Sequence, residues 1–164
     1  ALQNFLDLSR RPKGEPQRFE LKPVLERSLD ILRVELDRSK VAVEYEWSAP
    51  ESLAMEGDPH AMHHLFLNLA LNARDVMPEG GRLAVRVQGR RGEVRVRFQD
   101  TGPGVPRALR DKIFEPFFTT RATGTGLGLA FVDRIVSEHG GSVTVGNAPD
   151  GGAVFEIRLP AENG

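Results

Sequence analysis

The chain has 164 residues, 40% of them hydrophobic, and a net charge of −1. That is the size of one domain with a short appendage, apolar enough for a real core, and with no overall field to draw it to nucleic acid or acidic lipid. It contains no cysteine, which excludes disulfides, thiolate metal centres and cysteine nucleophiles, and no apolar run nears the ~20 residues that a membrane span needs.

Residues 2–9 (LQNFLDLS) space Leu2, Phe5, Leu6 and Leu8 as on a helix, and Pro12, Gly14 and Pro16 break it. So short a helix is marginal alone. It is expected to be the tail of a longer element, and the opening Ala1, with no signal-peptide pattern, suits a piece of a longer protein. From Pro23 to about Arg38, Val24, Leu25, Leu29, Ile31, Leu32, Val34 and Leu36 suit an amphipathic helix. VAVEYEW (41–47) alternates as a strand, with Val41, Val43, Tyr45 and Trp47 on one side. A short strand near 52–56 leads to Asp58-Pro59, a helix start with aspartate as cap and proline at the first helical position. The helix that follows is the most apolar in the chain and runs to Met77, where Pro78 and Gly80-Gly81 stop it.

Leu83, Val85 and Val87, then Val94, Val96 and Phe98, mark two alternating strands joined at Arg91-Gly92 as in a hairpin. After Asp100 come a glycine- and proline-rich loop, a short polar helix and the aromatic run FEPFF. Helical pattern resumes over about Gly126–His139. Strands at 142–147 and 153–159 finish the sheet, the second with Ala153, Phe155, Ile157 and Leu159 inward. This order predicts an α+β fold: a two-layer sandwich of one mixed sheet with helices on a single face.

Four segments ask for more than packing. In NLALNA (68–73), Asn68 and Asn72 stand four apart, one above the other on an otherwise apolar helix. Buried amides need polar partners: either backbone of a neighbouring loop, or a hydrated Mg²⁺ that takes oxygen donors. In DTGPGVP (100–106), a carboxylate closes a strand, and Gly102 and Gly104 let backbone pass close to a ligand; the alternatives are a capped glycine turn or an acceptor for an exocyclic amine such as adenine's. GTGLGL (124–129) opens a helix with bare amides, where orphan donors and the helix dipole favour phosphate. It is neither a Rossmann G-x-G-x-x-G nor a P-loop. Phe114, Phe117 and Phe118 look like the anchor of a small polar loop, Thr119 to Thr123, able to close as a lid with Arg121 as its one cation; ordinary core is the alternative for the three rings.

Taken in this order and at these intervals, the Asn-box, D-x-G-x-G, F-x-P-F and G-T-G-L-G-L resemble the catalytic domain of bacterial sensor histidine kinases, in the Bergerat-type ATPase superfamily. IVSEHGG (135–141) and the GGAVFEIRLP ending strengthen the likeness, which covers about residues 18–160. Asp75 and Val76 stand where many relatives carry a basic residue and a tyrosine, which resembles the nitrogen-regulator-like subgroup.

The resemblance implies a Bergerat fold with a mostly antiparallel sheet of about five strands. It implies that residues 1–9 end a dimerisation hairpin, 10–17 are a linker, 18–160 the ATP-binding catalytic domain and 161–164 a tail. The cofactors implied are ATP and Mg²⁺, with Asn72 as metal ligand and Asn68 its partner at the phosphates. Asp100 would take the adenine amine, and Gly102, Gly104 and Val105 would shape the base pocket. Gly124, Thr125, Gly126, Leu127, Gly128 and Leu129 would cradle the phosphates; Asp75, Phe117 and Thr120 complete the implied nucleotide contacts. The phosphate-contacting cation falls to Arg121 or Arg74, and a ligand role for Gly151-Gly152, which lack the usual threonine after them, is left open. Hydrolytic relatives and serine kinases of the superfamily place a glutamate where this chain has Asn68, an amide that cannot act as general base.

The function so implied is phosphorylation of a histidine on the dimerisation domain of the same protein, followed by relay to a response-regulator receiver aspartate. The implied setting is a monomeric cytoplasmic domain of a homodimeric parent, itself cytoplasmic or attached to the inner membrane, with no nucleic-acid partner. The other readings are a nucleotide-responsive binding module without kinase activity and a hydrolytic ATPase. None of the four histidines is expected to accept phosphate: His60 and His64 read as surface or helix-packing residues with His63 facing elsewhere, and His139 as an imidazolium favoured at a helix C-terminus.

Overall fold

The computed structural model describes residues 16–118 and 128–162. Seven strands and three helices follow in the order β1 (Gln17–Glu20), α1 (Leu21–Arg38), β2 (Val41–Ser48), β3 (Ala54–Gly57), α2 (Pro59–Asp75), β4 (Gly81–Arg90), β5 (Glu93–Asp100), α3 (Gly128–Glu138), β6 (Ser142–Asn147) and β7 (Ala153–Pro160). Two short 3-10 turns, Arg107–Leu109 and Lys112–Phe114, follow β5. The main sheet has the order β2-β4-β5-β7-β6, with β1 and β3 forming a small antiparallel pair beside it. Only the β2–β4 pairing is parallel; the other three in the main sheet are antiparallel. The expected two-layer α+β sandwich is this architecture.

The core lies between the sheet and its helices. Leu83, Val85 and Val87 on β4, Val94, Val96 and Phe98 on β5, and Phe155, Ile157 and Leu159 on β7 are all buried. They meet Met62, Leu65, Phe66 and Leu69 of α2 and Phe131, Val132, Ile135 and Val136 of α3 in one cluster. Phe66 lies parallel to Phe98 across the two layers, with ring centroids 6.1 Å apart.

The α2 start is the one the sequence predicts. Asp58 accepts hydrogen bonds from the backbone N–H groups of His60 (2.9 Å) and Ala61 (3.3 Å), and Pro59 takes the first helical position, where its missing N–H costs nothing. The α1 start differs. The helix begins at Leu21, whose N–H donates to the Leu53 carbonyl at 3.0 Å, so Pro23 falls within the first turn. Gln17, expected in the linker, is already in β1 and pairs with Gly57.

β2 is an edge strand, and only its first residue is fully covered: Val43 and Tyr45 are 39% and 36% exposed despite facing the same way as Val41. Tyr45 donates to Glu26 of α1 at 2.9 Å, and the Trp47 indole N–H donates to the Pro50 carbonyl. At the end of α3, His139 bridges its own helix and the start of α2. Its Nδ1 lies 2.7 Å from the Ile135 carbonyl oxygen, and its Nε2 accepts from the Asp58 N–H at 3.0 Å. The ring occupies the space left by the absent Cβ of Gly57.

Candidate functional site

Strand alternation brings Asp100 onto the helix side of the sheet. Val94, Val96 and Phe98 face inward, and two residues on so does Asp100, at 2% exposure. Its Oδ1 accepts from the Gly102 N–H (2.9 Å) and the Ala153 N–H (3.2 Å). Burial pushes this carboxyl above the usual carboxylate range, while those two backbone bonds act in the opposite sense.

The loop after Asp100 is held by close backbone contacts. A Cβ on Gly102 would stand 3.0 Å from the Val76 carbonyl oxygen, at the end of α2. Gly104 has φ +77° and passes against the Gly151 carbonyl; the next N–H, that of Val105, donates to Asn147 Oδ1 at 2.9 Å. A Cβ on Gly152 would run into the Asp100 carbonyl. Gly151, Gly152 and Asn147 therefore wall the loop from behind. Sequence reasoning missed Asn147 and left Gly151-Gly152 undecided; the paired glycines before β7 were the available signal.

On α2, Asn68 Nδ2 donates to the carbonyl of His64 one turn earlier at 2.9 Å, which leaves Oδ1 as the outward-facing atom. That oxygen looks at the start of α3, where a Cβ on Gly128 would be 3.5 Å from it. Asn72, half-buried, stands one turn further along the same face. Leu129 packs against the core beside Gly128. Asn68 and Gly128 thus stand together where the middle of α2 meets the start of α3, and Asp100 with Gly102 stands beside Val76 at the C-terminal end of α2. Thr120, Arg121, Gly124, Thr125, Gly126 and Leu127 lie outside the described residues.

Three expected contributors are elsewhere occupied or open. Arg74 donates to Glu35 of α1 (2.8 Å) and to Asp75 (2.9 Å), which ties both Arg74 and Asp75 into the α1–α2 junction. Phe117 is 74% exposed and holds φ +67°, an uncommon backbone for a residue with a side chain. Of the three phenylalanines expected as an anchor, Phe114 packs edge-on to Phe155 at 6.3 Å, and Phe118 is half-buried.

The histidines of α2 form a row. His60 and His64 meet edge to face with centroids 4.5 Å apart, and His63 lies 5.6 Å from His64. The sequence placed His63 apart from the other two; its ring does turn toward α1, where Nδ1 is 2.8 Å from the buried hydroxyl of Ser28. Burial lowers the His63 pKa. Among the described residues no group of three or more histidine or acidic side chains is arranged to hold a metal ion.

Against known proteins, residues 57–163 match the family model described as histidine kinase-, DNA gyrase B- and HSP90-like ATPase. The sensor histidine kinase ZraS of Klebsiella oxytoca is 35% identical over 98% of the chain, and the sensory histidine kinase/phosphatase NtrB of Rhodobacter capsulatus is 37% identical over 73%. The chain spans only about a third of these relatives, 35% and 36% of their lengths. The catalytic domain of histidine kinase ThkA superposes with a TM-score of 0.82 at 30% identity, covering 90% of this chain and 96% of that one. Full-length ShkA in complex with AMPPNP gives 0.82 at 27% identity, covering 99% and 35%. ThkA in complex with the response regulator TrrA gives 0.81 at 26% identity, covering 97% and 46%.

Proposed function

The chain belongs to the histidine kinase-, DNA gyrase B- and HSP90-like ATPase family, and on that footing we propose that it binds Mg-ATP and transfers the γ-phosphoryl group to a histidine on the dimerisation domain of its parent, for relay to a response-regulator aspartate. The buried Asp100 carboxylate carries the reading. Both of its backbone bonds fall on Oδ1, and the second oxygen accepts the adenine amine, with Gly102 and Gly104 keeping side chains off the base. The triphosphate then follows α2 toward Asn72, Asn68 and the amide groups at the start of α3.

An amide oxygen is a hard donor of the kind Mg²⁺ takes, and this ion reaches proteins through few side chains and the substrate's own phosphates. The donor set at Asn72, with Asn68 Oδ1 nearby, fits that habit. Bound there, Mg²⁺ supplies neutralisation of the phosphate charge. The protein's own part is positioning: the transferred group passes through a loose transition state that asks for alignment more than for covalent help. An amide at position 68 offers no base to a water molecule, which favours transfer to an imidazole nitrogen, already nucleophilic, over hydrolysis.

The AMPPNP-bound ShkA and regulator-bound ThkA structures support nucleotide and regulator as ligand kinds. The test is calorimetric titration of Mg-ATP into Asp100→Asn and Asn72→Ala. Weakened binding in both is expected, and unchanged binding in both removes the assignment. Phosphate transfer from radiolabelled ATP to a supplied hairpin fragment separates a kinase from a binding module.

A further inference from the structure

Strand β2 is the longer of the two edges of the main sheet, with β4 on one side and, among the described residues, no strand on the other. An edge leaves backbone N–H and C=O groups without sheet partners, and natural edges are commonly blunted by lysine, proline or a bulge. β2 (VAVEYEWS) carries neither residue, and its pairing with β4 runs unbroken through all eight positions. Its inward side chains Val43 and Tyr45 are exposed. Between them and α1 lies an open groove of about 330 Å³, lined by Leu29, Val43 and Tyr45 and by Glu26, Asp30 and Asp37 against one cation, Arg33. On the outer face, the Glu44 and Glu46 side chains remain 55% and 65% exposed. The free edge is therefore apolar along its inner side and acidic around it.

The neighbour that β2 already has shows what such a strand pairs with. β4 turns Leu83, Val85 and Val87 to the core and Arg82 and Arg86 to the outer face, where each stands 3.9 Å from a glutamate of β2. The other edge of β2 repeats those sites, with apolar side chains toward α1 and carboxylates on the opposite face. From this match, we propose that the free edge of β2 receives an extended segment of a partner protein in which apolar side chains alternate with arginine or lysine. Backbone pairing along the edge supplies affinity, and the alternating side-chain sites supply selectivity. The segment's apolar side chains cover Val43 and Tyr45, and its cations lie beside Glu44 and Glu46. A second copy of this chain fits poorly: pairing about the centre of β2 would set these glutamates against their own copies, like charge on like. β4 separates this edge from β5, which ends in Asp100, so the proposal stands apart from the nucleotide site.

The probe is the capped peptide RLAVRVQ, the sequence of residues 82–88, titrated into the isotope-labelled chain and followed by its amide chemical shifts. Saturable shifts are expected along Val41–Ser48 and on the facing turns of α1. The same peptide with both arginines replaced by glutamate should bind at least about tenfold more weakly, since two attractive pairs become repulsive. In the double variant Glu44→Gln, Glu46→Gln, the gap between the two peptides should close to within about threefold, which a merely structural effect would not produce. Should that variant fail to fold, the two peptides are compared on the unaltered chain alone. Equal binding of both peptides, or no shifts on β2, overturns the proposal. Shifts concentrated on β5 would mean that the peptide displaces β4 and would overturn it too. So would a dimer of the unaltered chain in sedimentation that Val43→Lys separates, because a second copy would then hold the edge.

Discussion

Asp100 carries a structural cost and, in the function proposed above, the contact to the adenine amine, and the two separate in one substitution. Its folded pKa is raised, chiefly by burial. A raised folded value means that the native state holds the proton more tightly; that stabilisation is complete below the unfolded value of about 3.9 and is lost as pH rises through the folded value. At neutral pH the ionised group is therefore a liability that the Gly102 and Ala153 N–H bonds offset. Asp100→Asn keeps both bonds through its carbonyl oxygen and removes the charge. Its melting temperature at pH 7 is expected to equal or exceed that of the unaltered chain, with the difference narrowing toward pH 4. Its ATP affinity should fall at least about tenfold, since an amide N–H then faces the adenine amine, donor against donor. A variant that melts lower and binds normally would assign Asp100 to the fold alone. His63 follows the opposite sign: its pKa is lowered by burial, so its contribution is present above about 6.5 and lost as pH falls below that. Denaturant melts between pH 5 and 8 should show a decline toward acid that His63→Leu flattens.

Among the elements, those defined by local chemistry were legible and those defined by distant partners were not. Asp58-Pro59 announced α2 because cap and proline act within one turn. Alternation marked β4, β5 and β7, and Arg91-Gly92 marked their hairpin, where Gly92 has φ +74°. β1 was unreadable: QRFE has no alternation of its own and becomes a strand by pairing with β3, on the far side of α1. The parallel β2–β4 pairing depends on how α2 crosses between them, and the exposure of Val43 and Tyr45 follows from β2 being an edge. Of the site, the Asn pair, Asp100 and the glycines after it were legible as residue types at fixed spacing. The roles of Asn147 and Gly152 were not, because they arise from backbone packing of β6 and β7 ends against a loop some fifty residues earlier. This yields a paired prediction. Gly152→Ala drives a methyl into the Asp100 carbonyl and should cost about 1–3 kcal/mol, with weakened ATP binding. Gly146→Ala on the neighbouring strand, with nothing within 4 Å of the new carbon, is the matched control and should change neither. Urea denaturation and nucleotide titration of the two variants decide it.

At the scale of the whole molecule, the candidate site belongs to no single element. In the function proposed above, its base end would be the end of β5, the end of α2 and the β6–β7 turn, and its phosphate end the middle of α2 and the start of α3. A nucleotide lying along α2 would thus fasten the helical layer to the sheet at both ends, so that unfolding of the single core must first release it. Ligand binding to the native state alone stabilises by RT ln(1 + [L]/Kd), about 2.7 kcal/mol at a hundred times Kd, worth roughly 5–10 °C in a domain of this size. Mg-ATP at that concentration is expected to raise the melting temperature by such an amount in one cooperative step. Asp100→Asn should melt at its own midpoint and respond far less to the same ATP. A nucleotide-induced rise of equal size in Asp100→Asn would mean that the ligand sits elsewhere on the fold, and two separate melting steps in the presence of ATP would mean that it holds only one of the two layers.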